Sequence, residues 1–172
     1  YNIPNLCMAG GVALNCVVNS KILKSNLFKK LWIQPAAGDS GGALGAALSV
    51  LYKELSKPRV VIKKNLMKGS FLGPHYSQEK IENDFKECKA NFNVVKEDSI
   101  YETASKSLIE GKALGWFQGR MEFGPRALGS RSILADPRSD SMQKKLNLKI
   151  KYRESFRPFA PSILLEDLNK WF

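Results

Sequence analysis

The stretch Leu6-Cys-Met-Ala-Gly-Gly-Val-Ala-Leu-Asn15 joins a short apolar run to a glycine pair and the start of a helical pattern. An apolar run that stops at glycines predicts a buried strand that enters a tight turn. The residues after the glycines have helical spacing, which places Ala13, Cys16, Val17, Ser20 and Leu23 on one helical face. Asn15 lies within this predicted helix. Strand, glycine turn and helix together form one half of a typical α/β unit.

The same order follows a second time along the chain. Leu31-Trp-Ile33 predicts another buried strand, which Pro35 ends, and Gly38-Asp-Ser-Gly-Gly42 supplies the second glycine turn. The helix predicted next has apolar residues at the spacing of an amphipathic helix, namely Leu44, Ala47, Leu48, Leu51 and Leu55. This alternation predicts an α/β fold.

The segment Lys57-Pro-Arg59 is the predicted domain boundary, because Pro58 ends the preceding helix. It divides the chain into residues 1–62 and residues 63–172. The second part is predicted to contain a helix begun by Ser77, a strand at Asn93–Val95, a helix capped by Asp98 or Ser99 and closed by Gly111, a strand at Ala113–Phe117, and a helix over Met142–Ile150.

Composition bounds the class of protein. Of 172 residues, 44% are hydrophobic and 25% are charged, which is typical of a soluble globular protein without a membrane span. His75 is the only histidine, so a His-based triad or a histidine-rich metal site cannot form within this chain. The three cysteines form no CxxC pair and indicate reduced thiols in the cytoplasm. Because the chain lacks an initiator Met and ends on Trp171-Phe172, we expect an excised fragment.

A net charge of +11 invites a nucleic-acid interpretation. The lysines are scattered, however, whereas the arginines are concentrated between Gly119 and Pro158, at Arg120, Arg126, Arg131, Arg138, Arg153 and Arg157. Arginine suits bidentate recognition of phosphate or carboxylate. A small anionic substrate therefore explains the local concentration better than a polynucleotide does.

Turn residues shape the backbone that carries these arginines. Gly119, Gly124, Pro125 and Gly129 exclude a regular helix over Gln118–Ser132. Glu122, Asp136 and Glu154 are the carboxylates that can pair with six arginines, Lys149 and Lys151. Unmatched positive charge remains, and we predict an anion site suited to phosphoryl or acyl-phosphate chemistry. The site is not a P-loop, because the chain contains no GxxxxGK[ST].

The glycine turns leave alternatives open. Gly10 and Gly11 would let a phosphate or ribose approach the backbone, although most such turns serve only the strand-to-helix geometry. Asp39 either caps the helix that follows it or supplies an oxygen ligand to a divalent cation. Spacing alone favours the cap.

These motifs also carry a family resemblance. Met8–Asn15 and Pro35–Ala46 resemble the end of the ASKHA-type (actin-like ATPase-like) domain of O-carbamoyltransferases of the nodulation-protein and antibiotic-biosynthesis type. Gly119–Ser132 together with Lys151–Ser162 resembles the start of their YrdC-like α/β domain. The resemblance spans nearly the whole chain, and it implies that residues 1–62 belong to the first domain and residues 63–172 to the second.

In that family the YrdC-like domain makes carbamoyl adenylate from carbamoyl phosphate and ATP, and the ASKHA-type domain passes the carbamoyl group to a hydroxyl of a small acceptor, a sugar or an antibiotic precursor. The resemblance implies four sets of site residues: catalytic Arg126, Lys151 and Arg157; phosphate-binding Arg120, Arg131, Arg153 and Ser132; nucleotide-binding Gly10, Gly11 and Asn15; and metal-binding Asp39. The divalent metal would be iron or magnesium. Its other ligands, two histidines among them, would lie outside this chain, so we expect the chain alone to have incomplete activity.

Two other functions stay open. A threonylcarbamoyl-adenylate-type tRNA-modifying enzyme would share the domains and the basic charge. A nucleic-acid-binding module without catalysis would use the charge alone.

Overall fold

A computed structural model describes residues 3–62 and 66–171. These residues form two compact units. Unit 1 comprises residues up to 89 together with residues 117–131, and unit 2 comprises residues 90–116 and those from 132 onward. Helices and small sheets are mixed along the chain, which confirms the α/β class.

Unit 1 opens with two parallel strands, β1 (Asn5–Met8) and β2 (Lys30–Ile33). Cys7 pairs with Trp32, and Met8 pairs with Ile33. Both strands lie where the sequence predicts them, but the prediction that they are buried is wrong for one face. Trp32 is 58% exposed, because alternate residues of a strand point to opposite faces and only the Leu6 and Met8 side is half-buried.

The first glycine turn leads into a single 3-10 turn, Gly11–Leu14, and then into helix α1 (Cys16–Lys24). The prediction that Asn15 lies inside a helix is wrong. Asn15 has an extended backbone, and its side-chain Oδ1 accepts a hydrogen bond from the Val18 amide at 3.2 Å. Asn15 is therefore the N-cap of α1.

The second glycine turn leads into helix α2 (Asp39–Ser49), which continues as a π-helical turn, Val50–Glu54. Helix α3 (Gln78–Glu87) begins as predicted, because the Ser77 hydroxyl accepts a hydrogen bond from the Lys80 amide. The stretch between them is exposed at residues 57–62 and has no regular structure there.

Unit 2 contains helices α4 (Glu97–Ile109), α5 (Met142–Lys149) and α6 (Leu168–Trp171). Strands β3 (Leu114–Phe117) and β4 (Arg131–Leu134) pair in a second two-stranded sheet. The chain passes from unit 2 to unit 1 at Phe117 and returns to unit 2 after Arg131. The predicted α5 and β3 are confirmed, whereas β4 was not predicted.

Two predictions for unit 2 are wrong. Residues 93–95 form no strand, and Val94 and Val95 are exposed. Helix α4 is not capped by Asp98 or Ser99, since it begins at Glu97 and its N-cap, Lys96, makes no side-chain cap bond. The predicted end of α4 is confirmed, because Gly111 has a φ of 73° and donates its amide to Leu108.

The interior is small. Among the residues that the structure describes, the buried apolar side chains are Ala13 and Ala37 in unit 1 and Met142 and Leu146 in unit 2. Many large apolar side chains of the helices are exposed instead. In the described ranges, none of the helices combines the length and the apolar character that crossing a bilayer requires.

Candidate functional site

A cavity of about 360 Å³ lies in unit 1. Four parts of the chain line it: residues 13–14 after the first glycine turn, residues 33–36 before the second, residues 69–70, and the loop at residues 118–130, which we call the arginine loop. The lining residues are Ala13, Leu14, Ile33, Gln34, Pro35, Ala36, Gly69, Ser70, Phe123, Pro125, Arg126 and Leu128. Segments that are far apart in the sequence thus meet around one space.

Gly124 brings the arginine loop against the second glycine turn. A Cβ atom at this position would lie 2.6 Å from the Cβ of Ala36, which is closer than two carbon atoms that are not bonded to each other can approach. Gly124 also has a φ of 103°, a conformation that side chains rarely tolerate. Only glycine satisfies both conditions without a shift of the loop.

A second contact holds the arginine loop from the side of residues 69–74. The Gly73 amide donates to the Met121 carbonyl at 2.9 Å, and the Phe123 amide donates to the Ser70 carbonyl at 2.6 Å. Arg120 Nη1 donates to the Gly73 carbonyl at 2.7 Å. This segment was not predicted to belong to the site. Gly73 is the residue that could have indicated it, since a Cβ there would lie 2.9 Å from the Met121 carbonyl oxygen and only glycine permits this close approach of two backbones.

Arg126 is the only charged residue among the described residues that line the cavity. Its Nη2 lies 3.5 Å from the Leu14 carbonyl, which is a weak hydrogen bond. No carboxylate of the described ranges lies within 4.0 Å of its guanidinium. Arg126 therefore presents a positive charge without a counter-charge at a largely apolar cavity and would attract an anion there, although water screens this exposed guanidinium.

Glu122 fixes the shape of the arginine loop from within. Its side chain is fully buried, and Oε1 accepts hydrogen bonds from the Leu128 amide at 2.6 Å and the Ser130 amide at 2.9 Å. Oε2 accepts no hydrogen bond but lies 3.5 Å from Arg131 Nε. The loop amides at 128 and 130 therefore already bind an anion, the protein's own carboxylate. These two amides are therefore not available to an external anion.

The pKa of Glu122 is lowered from its ordinary value of 4.5. Burial by itself raises this pKa, because it penalises the charged form. The amides of Ser130 and Leu128 and the charge of Arg131 outweigh burial. Arg131 in turn donates from Nη2 to the carbonyls of Gly124 and Arg126, so its guanidinium is engaged in holding the loop.

The residues predicted to bind nucleotide lie beside the cavity, not in its wall. The Gly10 amide donates to the Ala37 carbonyl at 2.6 Å and so joins the two glycine turns. Nothing lies within 4 Å of where a Cβ of Gly10 or Gly11 would stand, so the space above them is open to a ligand. Asn15 uses its Oδ1 to cap α1.

Asp39, the predicted metal ligand, is the exposed first residue of α2. The expectation that it caps the helix is wrong, because Gly38 is the N-cap and no side chain makes the cap bond. Its carboxylate is thus free to serve as one metal ligand. Within residues 3–62 and 66–171 no three His, Cys, Asp or Glu side chains come together around a metal position. Asp39 would therefore be one ligand of a metal site that the described residues do not complete by themselves.

Unit 2 carries the second group of predicted residues on the segment 151–158, which we call the second loop. Lys151 is exposed, and its ammonium group has no carboxylate partner among the described residues. Arg157 Nε contacts Glu154 Oε2 at 2.7 Å. The Glu154 backbone amide and this arginine lower the pKa of Glu154. Arg153 Nε donates a hydrogen bond to Asn147 Oδ1 on α5 at 2.7 Å. The Arg153 guanidinium carbon lies over the Phe159 ring, 5.0 Å from the ring centroid.

Ser132 and Arg138 complete the predicted residues and their neighbours in unit 2. Ser132 is half-buried in β4. Arg138 pairs with Asp136 at 2.7 Å, and hydrogen bonds from the Arg138 side chain and amide lower the pKa of Asp136 to about 2. This arginine is thereby neutralised within the protein.

The distribution of ion pairs confirms the expected excess of positive charge. The three carboxylates near the arginines each pair with one of them: Glu122 with Arg131, Asp136 with Arg138, and Glu154 with Arg157. Arg120, Arg126 and Arg153 have only neutral partners among the described residues. Cations without counter-charges thus lie on the arginine loop of unit 1 and on the second loop of unit 2.

Comparison with known proteins identifies the family. A family model described as the carbamoyltransferase N-terminus matches residues 1–48, and one described as the carbamoyltransferase C-terminus matches residues 105–172. The chain belongs to the carbamoyltransferase family. The two matches fall within the two predicted domain ranges, and the boundary at residue 62 stays a prediction.

Several relatives of this carbamoyltransferase-family chain match nearly its whole length. An uncharacterized protein of Synechocystis is 54% identical over 99% of this chain and 28% of its own length. Nodulation protein NolO of Bradyrhizobium diazoefficiens is 45% identical over 99% of this chain and 30% of its own. The 3'-hydroxymethylcephem-O-carbamoyltransferase of Streptomyces clavuligerus is 36% identical over 97% of this chain and 29% of its own. The chain thus spans less than a third of each of these relatives, and its family is one of transferases.

Proposed function

We propose that this chain is part of an ATP-dependent O-carbamoyltransferase, which forms carbamoyl adenylate from carbamoyl phosphate and ATP and transfers the carbamoyl group to an acceptor hydroxyl. The observation that supports this most is the set of cations without carboxylate partners on two loops of a carbamoyltransferase-family chain. An anionic substrate would neutralise them. A hydroxyl-bearing sugar or antibiotic precursor is the proposed acceptor, and the name of the cephem relative, an O-carbamoyltransferase, agrees with a hydroxyl acceptor.

The proposed roles follow from how each cation is held. Arg126 and Lys151 have no ion-pair partner among the described residues and are the foremost candidates for contact with carbamoyl phosphate or its adenylate. Arg157 is proposed for the same contact, although Glu154 already pairs with it. Arg120, Arg153 and Ser132 would support the phosphate. Arg131 would act mainly by shaping the arginine loop, because Glu122 and two carbonyls already engage its guanidinium.

The nucleotide and metal roles are supported by fewer observations. Gly10 and Gly11 offer open backbone to a nucleotide, and Asn15 stands next to them. Asp39 would be one ligand of a divalent metal, iron or magnesium, which would supply positive charge near nucleotide phosphates. The ASKHA-type and YrdC-like domains and a cytoplasmic location belong to the same proposal.

Isothermal titration with carbamoyl phosphate tests the anion site in the natural protein at its full length. We expect Arg126→Ala and Lys151→Ala each to raise the Kd, because each removes charge-assisted hydrogen bonds worth about 1.5–3 kcal/mol. That loss corresponds to an increase of roughly 10- to 100-fold. Arg59→Ala and Lys144→Ala are matched controls, since both residues are exposed and outside the two loops. Wild-type affinity in both site variants would refute the assignment.

Two further assays separate the alternatives. A threonylcarbamoyl-adenylate enzyme should consume bicarbonate and threonine, so a product assay with each substrate set distinguishes it from a carbamoyl-phosphate enzyme. A nucleic-acid-binding module should bind duplex DNA with a salt dependence of about −0.9 per phosphate contact in log–log form. Absence of retention on DNA or RNA at low salt would remove that alternative.

A further inference from the structure

We infer that Asn147 is a positioning residue, which holds the second loop in the conformation that binds the anion. This inference rests on the proposed function, since that function assigns the cations of the second loop to the substrate. Asn147 lies on α5 and was not among the residues that the sequence singled out.

Asn147 is completely buried, with 0% of its surface exposed. Its Nδ2 donates to the Arg157 carbonyl at 2.8 Å and to the Ser155 carbonyl at 3.1 Å. Its Oδ1 accepts a hydrogen bond from Arg153 Nε at 2.7 Å. Burying an amide is unfavourable unless its polar atoms are paired. Here both ends of the amide are paired, and every partner belongs to the second loop.

The bond to Arg153 determines which part of that guanidinium is left for a ligand. Nε is engaged by Asn147, and the Phe159 ring supports the guanidinium plane from one side. The Nη1 and Nη2 atoms have no hydrogen-bond partner among the described residues. Two parallel donors in a fixed plane match the oxygens of a phosphate or carboxylate. A neutral amide is well suited to this task, because it orients the arginine without cancelling its charge.

Helix α5 supplies a rigid base for these contacts. The Leu146 carbonyl accepts from the Lys151 amide at 2.9 Å, and the Asn147 carbonyl accepts from the Arg153 amide at 3.0 Å. One turn earlier, Gln143 Nε2 donates to the carbonyls of Phe156 and Arg157. The loop cations are thus ordered before a ligand arrives, which lowers the entropic cost of binding.

Substitution Asn147→Asp is the sharpest test in the full-length protein. This substitution preserves the shape of the side chain and the oxygen that accepts from Arg153. It replaces the NH₂ group, which donates to two carbonyls, by a carboxylate oxygen that those carbonyls repel. The new negative charge also neutralises Arg153. We expect the Kd for inorganic phosphate and for carbamoyl phosphate to rise about tenfold or more, because small displacements of positioned groups have large effects. Asn83→Asp, an exposed site on α3, introduces the same charge and should leave both Kd values unchanged.

A double-mutant cycle separates positioning from general stabilisation. If Asn147 acts through Arg153, the Asn147→Asp change should have a smaller effect on phosphate binding in an Arg153→Ala background than in the wild type. A purely structural role predicts additive effects, and additivity would overturn the inference. A folded Asn147→Asp protein, as judged by its thermal melting, with wild-type Kd values would overturn it as well.

If Asn147→Asp gives no melting transition, Gln143→Glu decides the question. Gln143 is exposed and contacts the same loop carbonyls, so this variant should fold and bind phosphate more weakly, whereas a wild-type Kd would refute the inference. A different result would refute the proposed function and leave the inference about Asn147 intact. A wild-type protein that binds inorganic phosphate in an Asn147-dependent manner, yet has no preference for carbamoyl phosphate, would refute the function and retain the positioning role.

Discussion

Glu122 is a carboxylate in the place where a phosphate-binding loop would hold its ligand. The amides of Leu128 and Ser130 point at it, and Arg131 stands beside it. The loop is consequently ordered in the absence of any ligand. Its cations are displayed on a backbone that has no need to refold when an anion binds.

Substitution Glu122→Gln should destabilise the protein. The amide oxygen can still accept from the loop amides, but the NH₂ group then faces Arg131 and the buried ion pair is lost. We expect the free energy of unfolding to fall by about 2 kcal/mol, measured by urea denaturation of the full-length protein. Glu79→Gln on the exposed face of α3 is the matched control and should change it by less than about 0.5 kcal/mol.

The same residue predicts how stability depends on pH. Because the folded-state pKa of Glu122 is lowered, its contribution is present above the ordinary value of 4.5 and is lost as the pH falls through the lowered folded value. The difference in stability between wild type and Glu122→Gln should therefore shrink as the pH drops below 4.5. A difference that is constant from neutral to acidic pH would contradict the ion pair.

At the scale of the element, Asn15 has two possible roles that substitution can separate. Asn15→Ser preserves a side-chain oxygen for the cap of α1, whereas Asn15→Ala removes it and should lower the stability by about 1 kcal/mol. If Asn15 also binds nucleotide, both variants should weaken ATP binding, measured by titration of the full-length protein. Wild-type ATP affinity in Asn15→Ser, with a stability loss in Asn15→Ala only, would assign Asn15 to the cap alone.

Local patterns predicted the elements whose signals lie within a few residues. The apolar spacing of α5, the Ser77 cap of α3 and the glycine after α4 are such signals. Strand β4 was missed because its pairing with β3 is the deciding interaction, and that partner lies more than ten residues away. Val94 and Val95 have the strand-forming residue types but no strand to pair with among the described residues.

The excess of positive charge was predicted in the same partial way, and the roles of the site residues stay predictions. Counting carboxylates against arginines indicated the excess of positive charge before any geometry was known. The count did not reveal which arginines are engaged, because Glu122 selects Arg131 through a backbone turn that depends on Gly124 and Ala36. Asn147 was missed since asparagine in a helix has no distinctive pattern, and its partners lie on the loop beyond the helix.

At the scale of the whole molecule, the exposed apolar side chains determine how the 172-residue chain should behave in isolation. Val61 is 83% exposed and Leu165 82% exposed, and the buried apolar residues of the described ranges are few. We expect the isolated chain to bind the dye ANS strongly and to melt without a sharp transition, because little apolar surface is lost on folding. The full-length natural protein, compared at equal molar concentration, should bind less ANS. A cooperative melt of the isolated chain without ANS binding would contradict this.

The arginine loop reaches its partners across a long interval of sequence. Arg126 contacts the Leu14 carbonyl from 112 positions away, and Arg120 contacts Gly73 from 47 positions away. Closing such distant contacts is slow, because chain entropy must be lost before they form. During translation, the glycine turns therefore leave the ribosome long before the loop that completes the cavity wall has been synthesised. We expect the cavity to form late in folding, and the positive charge of Arg126 to be added to it only at that stage.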